Sequence, residues 1–282
     1  MSEAGATSEA LERRRELKRR VLTAAILAPL ALAIAWFGGI LFQLLLLASS
    51  LIIFLEWRRI VGHPAWAIDS YLPVAILLLV CAALVVGGGA WATAVLIVGI
   101  MIAAVVSHLR GRGPWLALGG LYAGAFFLGM TAVRGDGAAG ATAILWLLLL
   151  VWATDTAAYF VGRRVGGPKL WPRVSPSKTW SGAFGGLGGS VVIAIGVWAI
   201  GQAGPLFPFV VLTIVIAIVS IGGDLMESAV KRRFKVKDAS RLIPGHGGLM
   251  DRVDSLIAAS LVCALIGLAR GGRDIPTNLL VW

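Results

Sequence analysis

Residues 143–152 read AILWLLLLVW. These ten consecutive side chains are all apolar, with no alternation. A membrane strand would alternate apolar with polar residues, so an unbroken run of this kind points to a helix. Extended to 138–161, it has the length of about 20 residues that a helix needs to cross a bilayer. The run AAILAPLALAIAWF at 24–37 has the same character. The composition agrees, with 59% hydrophobic residues, 14% charged residues and a mean hydropathy of +0.89. Soluble domains carry roughly 45–50% apolar and about 25% charged residues. The expected fold class is therefore an all-α, polytopic membrane protein.

Working outward, the sequence predicts nine spans near 21–37, 40–55, 71–87, 90–107, 115–133, 138–161, 183–203, 206–227 and 255–270. Nine crossings alternate the loops between two sides. One side collects Arg13, Arg14, Arg15, Lys18, Arg19 and Arg20, then Arg58, Arg59, Arg110 and Arg112. The basic residues of loops 162–182 and 228–254 fall on the same side. Of the 25 basic residues, only Arg134, Arg270 and Arg273 fall on the other. Positive charge marks the cytoplasmic side, so the N-terminus is expected inside and the C-terminus outside. The net charge of +11 follows from this topology and from attraction to anionic headgroups. It calls for no nucleic acid partner.

The expected organisation is a basic cytoplasmic tail at 1–20, N-terminal transmembrane helices at 21–137 and a C-terminal transmembrane catalytic region at 138–282. The segment RRRELKRR followed by an apolar run and ALAIA resembles a secretory signal. Its basic flank fits an uncleaved first span better. Trp36, Trp57, Trp91, Trp115, Trp171 and Trp180 fall near span ends and read as interfacial anchors. Cys81 and Cys263 lie deep in apolar runs and act as small hydrophobes. His63 and His108 sit at loop edges with no evident partner. The Gly185-Gly186-Leu187-Gly188-Gly189 run is expected to let its span pack closely on a neighbour.

Only the loops 162–182 and 228–254 are long, and both are basic. Long loops without evident structure are often functional. Carboxylates flank them. GDLMES supplies Asp224, Glu227 and Ser228, and MDRVDS supplies Asp251, Asp254 and Ser255. Residues three apart share a helix face, so each span end presents two carboxylates and a hydroxyl on one stripe. Asp155 lies near the end of another span, and ionisable groups within spans are functional by default. Clustered carboxylates repel unless cations sit between them, and hard oxygen ligands favour Mg²⁺. The surrounding Lys and Arg suit phosphate oxygens. The pattern points to a Mg²⁺-dependent phosphate site. Salt bridges from Lys231, Arg232 or Arg252 are the competing role for these carboxylates. In the other loop, Ser175, Ser177, Lys178 and Thr179 offer hydroxyls and an ammonium without the spacing of a P-loop. PGHGG at 244–248 is a tight-turning segment whose N–H groups can cup an anion, and His246 within it can donate to a phosphate.

The segment SAVKRRFKVKDASRLIPGHGGLMDRVD, residues 228–254, resembles the signature of the phosphatidate cytidylyltransferase (CDP-diacylglycerol synthase) family. Ser228, Lys231, Arg232, Lys237, Asp238, Ser240, Pro244, His246, Gly247, Gly248, Asp251, Arg252 and Asp254 all match it. SPSKTWSG resembles a second family segment, with Ser181 where that segment carries glutamate. TDTAAYFVGR is similar to the stretch that precedes it. The N-terminal half matches only in being multi-spanning.

The resemblance implies that CTP and phosphatidate give CDP-diacylglycerol and pyrophosphate, with one or two Mg²⁺ ions. Asp224 and Asp251 would hold metal, with Asp155, Glu227 and Asp254 near it. Lys178, Lys231, Arg232, Lys237 and Arg252 would hold phosphates, with Ser175, Thr179, Ser228, Asp238, Gly247 and Gly248 in the substrate site. His246 would be a phosphate donor or loop organiser. The resemblance also implies a homodimer among membrane lipids, in a bacterial inner membrane with the site facing the cytoplasm. The alternatives are a polyprenol kinase or an archaeal-lipid cytidylyltransferase. A cation-coupled transporter would place its sites near the midplane, whereas these carboxylates cluster towards one face.

Overall fold

The computed structural model of the protein describes residues 25, 28–64, 67–240, 242, 247–271 and 274–282. The basic tail, Arg273 and the centre of the signature, including Arg241, Pro244 and His246, lie outside the described residues.

Helices dominate, because a chain surrounded by lipid must satisfy every backbone N–H and C=O within itself. A short apolar helix, α1, covers Ala28–Phe37. It is followed by α2 (Gly39–Ile60), α3 (Tyr71–Leu109), α4 (Trp115–Arg134), α5 (Gly137–Val165), α6 (Trp180–Ala199), α7 (Leu206–Arg233), α8 (Met250–Ala269) and the short α9 (Ile275–Leu280). Seven of these, α2 to α8, are long and apolar enough to cross a membrane. The sequence had predicted nine spans. Part of the difference lies in α3, whose 39 residues would extend about 58 Å at 1.5 Å per residue, nearly twice the ~30 Å hydrocarbon core. It breaks at Gly88, whose backbone is non-helical at φ 78° and ψ −173°. Beyond the break the chain folds back, so that a Cβ on Gly99 would stand 2.8 Å from Ile76.

The most enclosed helix is α4. Gly119, Gly120 and Gly124 on it admit Trp57, Ile100 and Leu96 respectively, and Gly129 meets the backbone of α8. Trp57 is therefore not an interfacial anchor. It is buried, its indole N–H donates to Trp115 O at 2.8 Å, and its ring lies 5.2 Å from that of Tyr122. Trp36, Trp91, Trp171 and Trp180 are exposed. Cys81 and Cys263 are free thiols.

Between α5 and α6 the expected loop contains a small antiparallel hairpin, β1 (Lys169–Trp171) with β2 (Ser175–Thr179), pairing Lys169 with Thr179 and Trp171 with Ser175. The expected close packing of the glycine run is present. α6 lies along α5, with Gly186 and Gly189 against the backbone carbonyls of Thr154 and Ala153. Away from that hairpin, the buried Arg134 donates to the carbonyls of Ala35 and Trp36, each at 2.6 Å, and ties α4 to the end of α1. His63 does have partners, in the connection between α2 and α3. Ser70 Oγ is 3.0 Å from its Nδ1, and Asp69 Oδ2 is 3.4 Å from its Nε2.

Candidate active site

One cavity of about 1060 Å³ draws its lining from α5, the β-hairpin, α7, the connection after it and the start of α8. Close helix packing produces this convergence. At Gly223, next to Asp224, α7 approaches α8 until a Cβ would lie 2.9 Å from Asp254 O and 2.7 Å from Ala258 Cβ. At Gly182, next to the hairpin, α6 approaches Ala158 O of α5 in the same way. The expected carboxylates Asp155, Asp224, Glu227, Asp251 and Asp254 all line this cavity, as do Lys178, Lys231, Asp238 and Arg252.

Two lysines neutralise three of the carboxylates. Lys178 Nζ is 2.5 Å from Asp224 Oδ2. Lys231 Nζ lies between Glu227 Oε2 at 2.8 Å and Asp251 Oδ1 at 2.7 Å. The salt-bridge role weighed for these groups is thus present, supplied by Lys178 and Lys231. Ser228 Oγ donates to Asp224 Oδ1 at 3.3 Å. Asp254 is buried, and its Oδ1 accepts from the N–H of Ser255 at 2.8 Å. Asp251 also accepts from the backbone N–H groups of Ala239 and Gly248, each 3.0 Å from Oδ2. Asp251 therefore shapes the loop that leads into its own helix.

Other expected residues stand differently. Thr179 is the N-cap of α6, its Oγ1 accepting from Gly182 N at 3.1 Å, as expected of a hydroxyl at such a position. It still borders the cavity. Arg232 Nε donates to Val174 O at 3.3 Å, fastening the end of α7 to the hairpin. Lys237 is exposed, while Ser175 is half-buried. Neither borders the cavity. Gly247 takes a left-handed φ of 87°, the region that glycine enters without strain. Ser181 donates to Gly166 O and lies 3.0 Å from Thr179 Oγ1, so it joins the end of α5 to the start of α6. His246 lies outside the described residues.

Sequence reasoning missed Glu56. It is buried at 4% exposure in α2. Its carboxylate accepts from Ser240 Oγ at 2.5 Å, Leu249 N at 3.0 Å and Met250 N at 2.7 Å. The available signal was weak, a single carboxylate one residue beyond the predicted span 40–55 and next to Arg58 and Arg59. Trp152 and Tyr159 of α5, which add aromatic surface to the cavity, also went unremarked.

The donor set suits a hard cation. Neither oxygen of the buried Glu227 accepts a well-aligned hydrogen bond, although Lys231 Nζ is near one. Among the described residues, no three His, Cys, Asp or Glu side chains already converge as a ligand set. Mg²⁺ needs no such set, since it is usually held by one or two carboxylates together with substrate phosphates and water.

A sequence profile of the cytidylyltransferase family matches residues 18–268. The chain is 41% identical over 264 residues to a phosphatidate cytidylyltransferase of Brucella suis biovar 1, covering 93% of this chain and 97% of that protein. It is 34% identical over 267 residues to the phosphatidate cytidylyltransferase of Pseudomonas aeruginosa, covering 90% and 98%. The protein of that name from Bacillus subtilis is 37% identical over 144 residues, covering 51% and 54%.

Proposed function

The chain belongs to the cytidylyltransferase family, and from that premise we propose that it joins CTP to phosphatidate, giving CDP-diacylglycerol and pyrophosphate. A phosphate oxygen of the lipid bonds to the α-phosphorus of CTP while the bond between the α-phosphorus and the bridging oxygen to the β-phosphate breaks. Pyrophosphate carries away the displaced electron pair. The observation that carries this reading is a cavity in which Lys178, Lys231 and Arg252 stand among six carboxylates. Both reactants are anions, so positioning and charge neutralisation are the main burden. Phosphatidate arrives ionised, and no side chain has to remove a proton from it.

Mg²⁺, as one or two ions, belongs to this reading. Asp224 and Asp251 would hold it, with Asp155, Glu227 and Asp254 near by, and the buried Oε1 of Glu227, which has no partner among the described residues, supports the assignment. When bound, it would neutralise charge on the phosphate oxygens. Lys178 and Arg252, which both line the cavity, would orient the triphosphate and the lipid headgroup. Trp152 and Tyr159, exposed on the outer surface of α5, would guide the acyl chains while they stay in lipid.

The same reading places the cavity on the cytoplasmic face of a bacterial inner membrane, with nine crossings and an N-terminus inside. The lopsided distribution of Lys and Arg supports the orientation. The break at Gly88 and the apolar helix at Ala28–Phe37 support the count. A homodimer follows from the family resemblance.

The test uses purified protein in detergent with phosphatidate, α-labelled CTP and Mg²⁺, and an EDTA control. Labelled lipid that vanishes with EDTA is expected. Labelled lipid that persists in EDTA would remove the metal. A well-folded sample that labels no phosphatidate, yet passes γ-labelled phosphate to a polyprenol, would overturn the reaction.

A further inference from the structure

Burying a carboxylate away from water is strongly unfavourable unless donors meet it. Glu56 is buried in the apolar helix α2 and borders no part of the cavity. Among the described residues, its donors come from the far end of the sequence. Leu249 and Met250 offer the N–H groups of the first turn of α8, which has no intrahelical acceptor for them, and Ser240 offers its hydroxyl.

These donors alternate along the backbone with those of Asp251. Ala239 N and Gly248 N go to Asp251, while their chain neighbours Ser240 and Leu249 go to Glu56. Two carboxylates, one on each side, thus pinch together the two ends of the 239–250 segment. Gly248 stands where they meet. A Cβ there would lie 2.9 Å from Glu56 Oε1 and 3.0 Å from Asp251 Oδ2.

We propose that Glu56 is the positioning residue of the catalytic segment, setting from α2 the place of the Asp251 carboxylate at the mouth of α8. It touches neither substrate nor metal. The inference rests on reading the cavity as the cytidylyl-transfer site. It gives the N-terminal helices a part in the chemistry, because the position of Asp251 is fixed from α2.

The experiment compares Glu56→Gln, Glu56→Asp and Ser240→Ala with the parent protein in detergent, by steady-state kinetics and by hydrogen exchange of the 239–250 backbone. A glutamine keeps the shape but turns an NH₂ group towards one of the donors. Displacement of a reacting constellation by about 1 Å costs on the order of 10²-fold in rate. Glu56→Gln is expected to lose kcat on that scale, with KM for CTP little changed, and to lose protection at Gly248, Leu249 and Met250. Glu56→Asp should recover part of both, and Ser240→Ala should show a smaller loss of each. If Glu56→Gln does not fold, Ser240→Ala and Glu56→Asp carry the test alone. Parent-like kcat in folded Glu56→Gln, or lost stability with kcat per folded molecule and exchange unchanged in the milder variants, would overturn the proposal. An inactive parent whose amides still depend on Glu56 would instead overturn the cytidylyl-transfer reading and leave the clamp standing.

Discussion

Lys231 Nζ on α7 stands 2.7 Å from Asp251 Oδ1 on α8, and the same ammonium lies 2.8 Å from Glu227 Oε2. One cation therefore holds together the two helix ends that carry most of the cavity's carboxylates. Lys231 and Asp251 side chains are only 12% and 11% exposed, and that of Glu227 is 1% exposed. Removing the cation leaves two acidic groups facing each other in a poorly solvated place. Breaking a buried ion pair from one side costs about 3–5 kcal/mol. Lys231→Met is expected to lose stability on that scale together with turnover, seen as a lowered melting temperature in detergent. A variant that melts like the parent would show that the pair carries little of the packing of α7 on α8.

Asp251→Asn separates chemistry from folding. The amide oxygen can still accept from Ala239 N and Gly248 N, but the charge opposite Lys231 is gone. Turnover should become undetectable while the protein stays folded and monodisperse. Activity near that of the parent in such a sample would remove Asp251 from the reacting site.

Gly248→Ala should act through space. The added methyl would meet Ala239 Cβ at 2.9 Å as well as both carboxylates. Overpacking of this kind costs about 1–3 kcal/mol, and here the displaced groups are those that place Asp251. We expect a modest fall in melting temperature and a much larger fall in kcat. Equal kcat in the two proteins would show that the segment tolerates the shift.

These residues show what the sequence made legible and what it did not. The long helices could be read because unbroken apolar runs have only one way to cross lipid. The break in α3 falls at Gly87-Gly88-Gly89, where two expected spans were separated. The meeting of Asp155, Asp224 and Asp251 followed from placing three span ends on one side. The hairpin 169–179 could not be read, since two short strands containing Pro176 show no apolar alternation. Trp57 looked like an interfacial anchor because its position near a span end was visible and its acceptor, a carbonyl on α4, was not. Glu56 was missed for the same reason. Among the described residues, two of its partners are backbone N–H groups at the start of α8, and backbone donors leave no trace in residue types.

Asp69 predicts a pH dependence outside the membrane-spanning helices. Burial alone would raise its carboxyl, but the Arg112 hydrogen bond at 2.5 Å and the nearby His63 hold it below the ordinary 3.8. A carboxyl lowered on folding stabilises the protein above its unfolded value, and that contribution fades as pH falls through the folded value. The parent should therefore melt higher than Asp69→Asn at neutral pH. The gap should shrink as pH falls below about 4. A gap independent of pH would assign the effect to packing of the α2–α3 connection.

Ser181 tests the one departure from the family pattern. Its hydroxyl donates to Gly166 O and does not border the cavity. Ser181→Ala removes a join between α5 and α6 that Gly182, Gly186 and Gly189 already secure by close packing. Loss of one such hydrogen bond costs about 0.5–1.5 kcal/mol, so the expected effect is a small drop in melting temperature with kcat nearly unchanged. A total loss of turnover in folded protein would mean that this hydroxyl stands in for the glutamate that the resembling family segment carries.

Lys178 distinguishes a structural from a substrate-binding ammonium. It sits on β2 and reaches Asp224 Oδ2 at 2.5 Å, with both side chains about a quarter exposed. Partly exposed ion pairs contribute only about 0–1 kcal/mol, so Lys178→Ala should scarcely alter stability. The triphosphate would lose a charged donor, and such contacts are worth about 1.5–3 kcal/mol. KM for CTP is therefore expected to rise by roughly one to two orders of magnitude, with a smaller effect on the KM for phosphatidate. A rise confined to phosphatidate would move Lys178 to the lipid headgroup. A large fall in melting temperature with unchanged KM values would make it a brace for Asp224 alone.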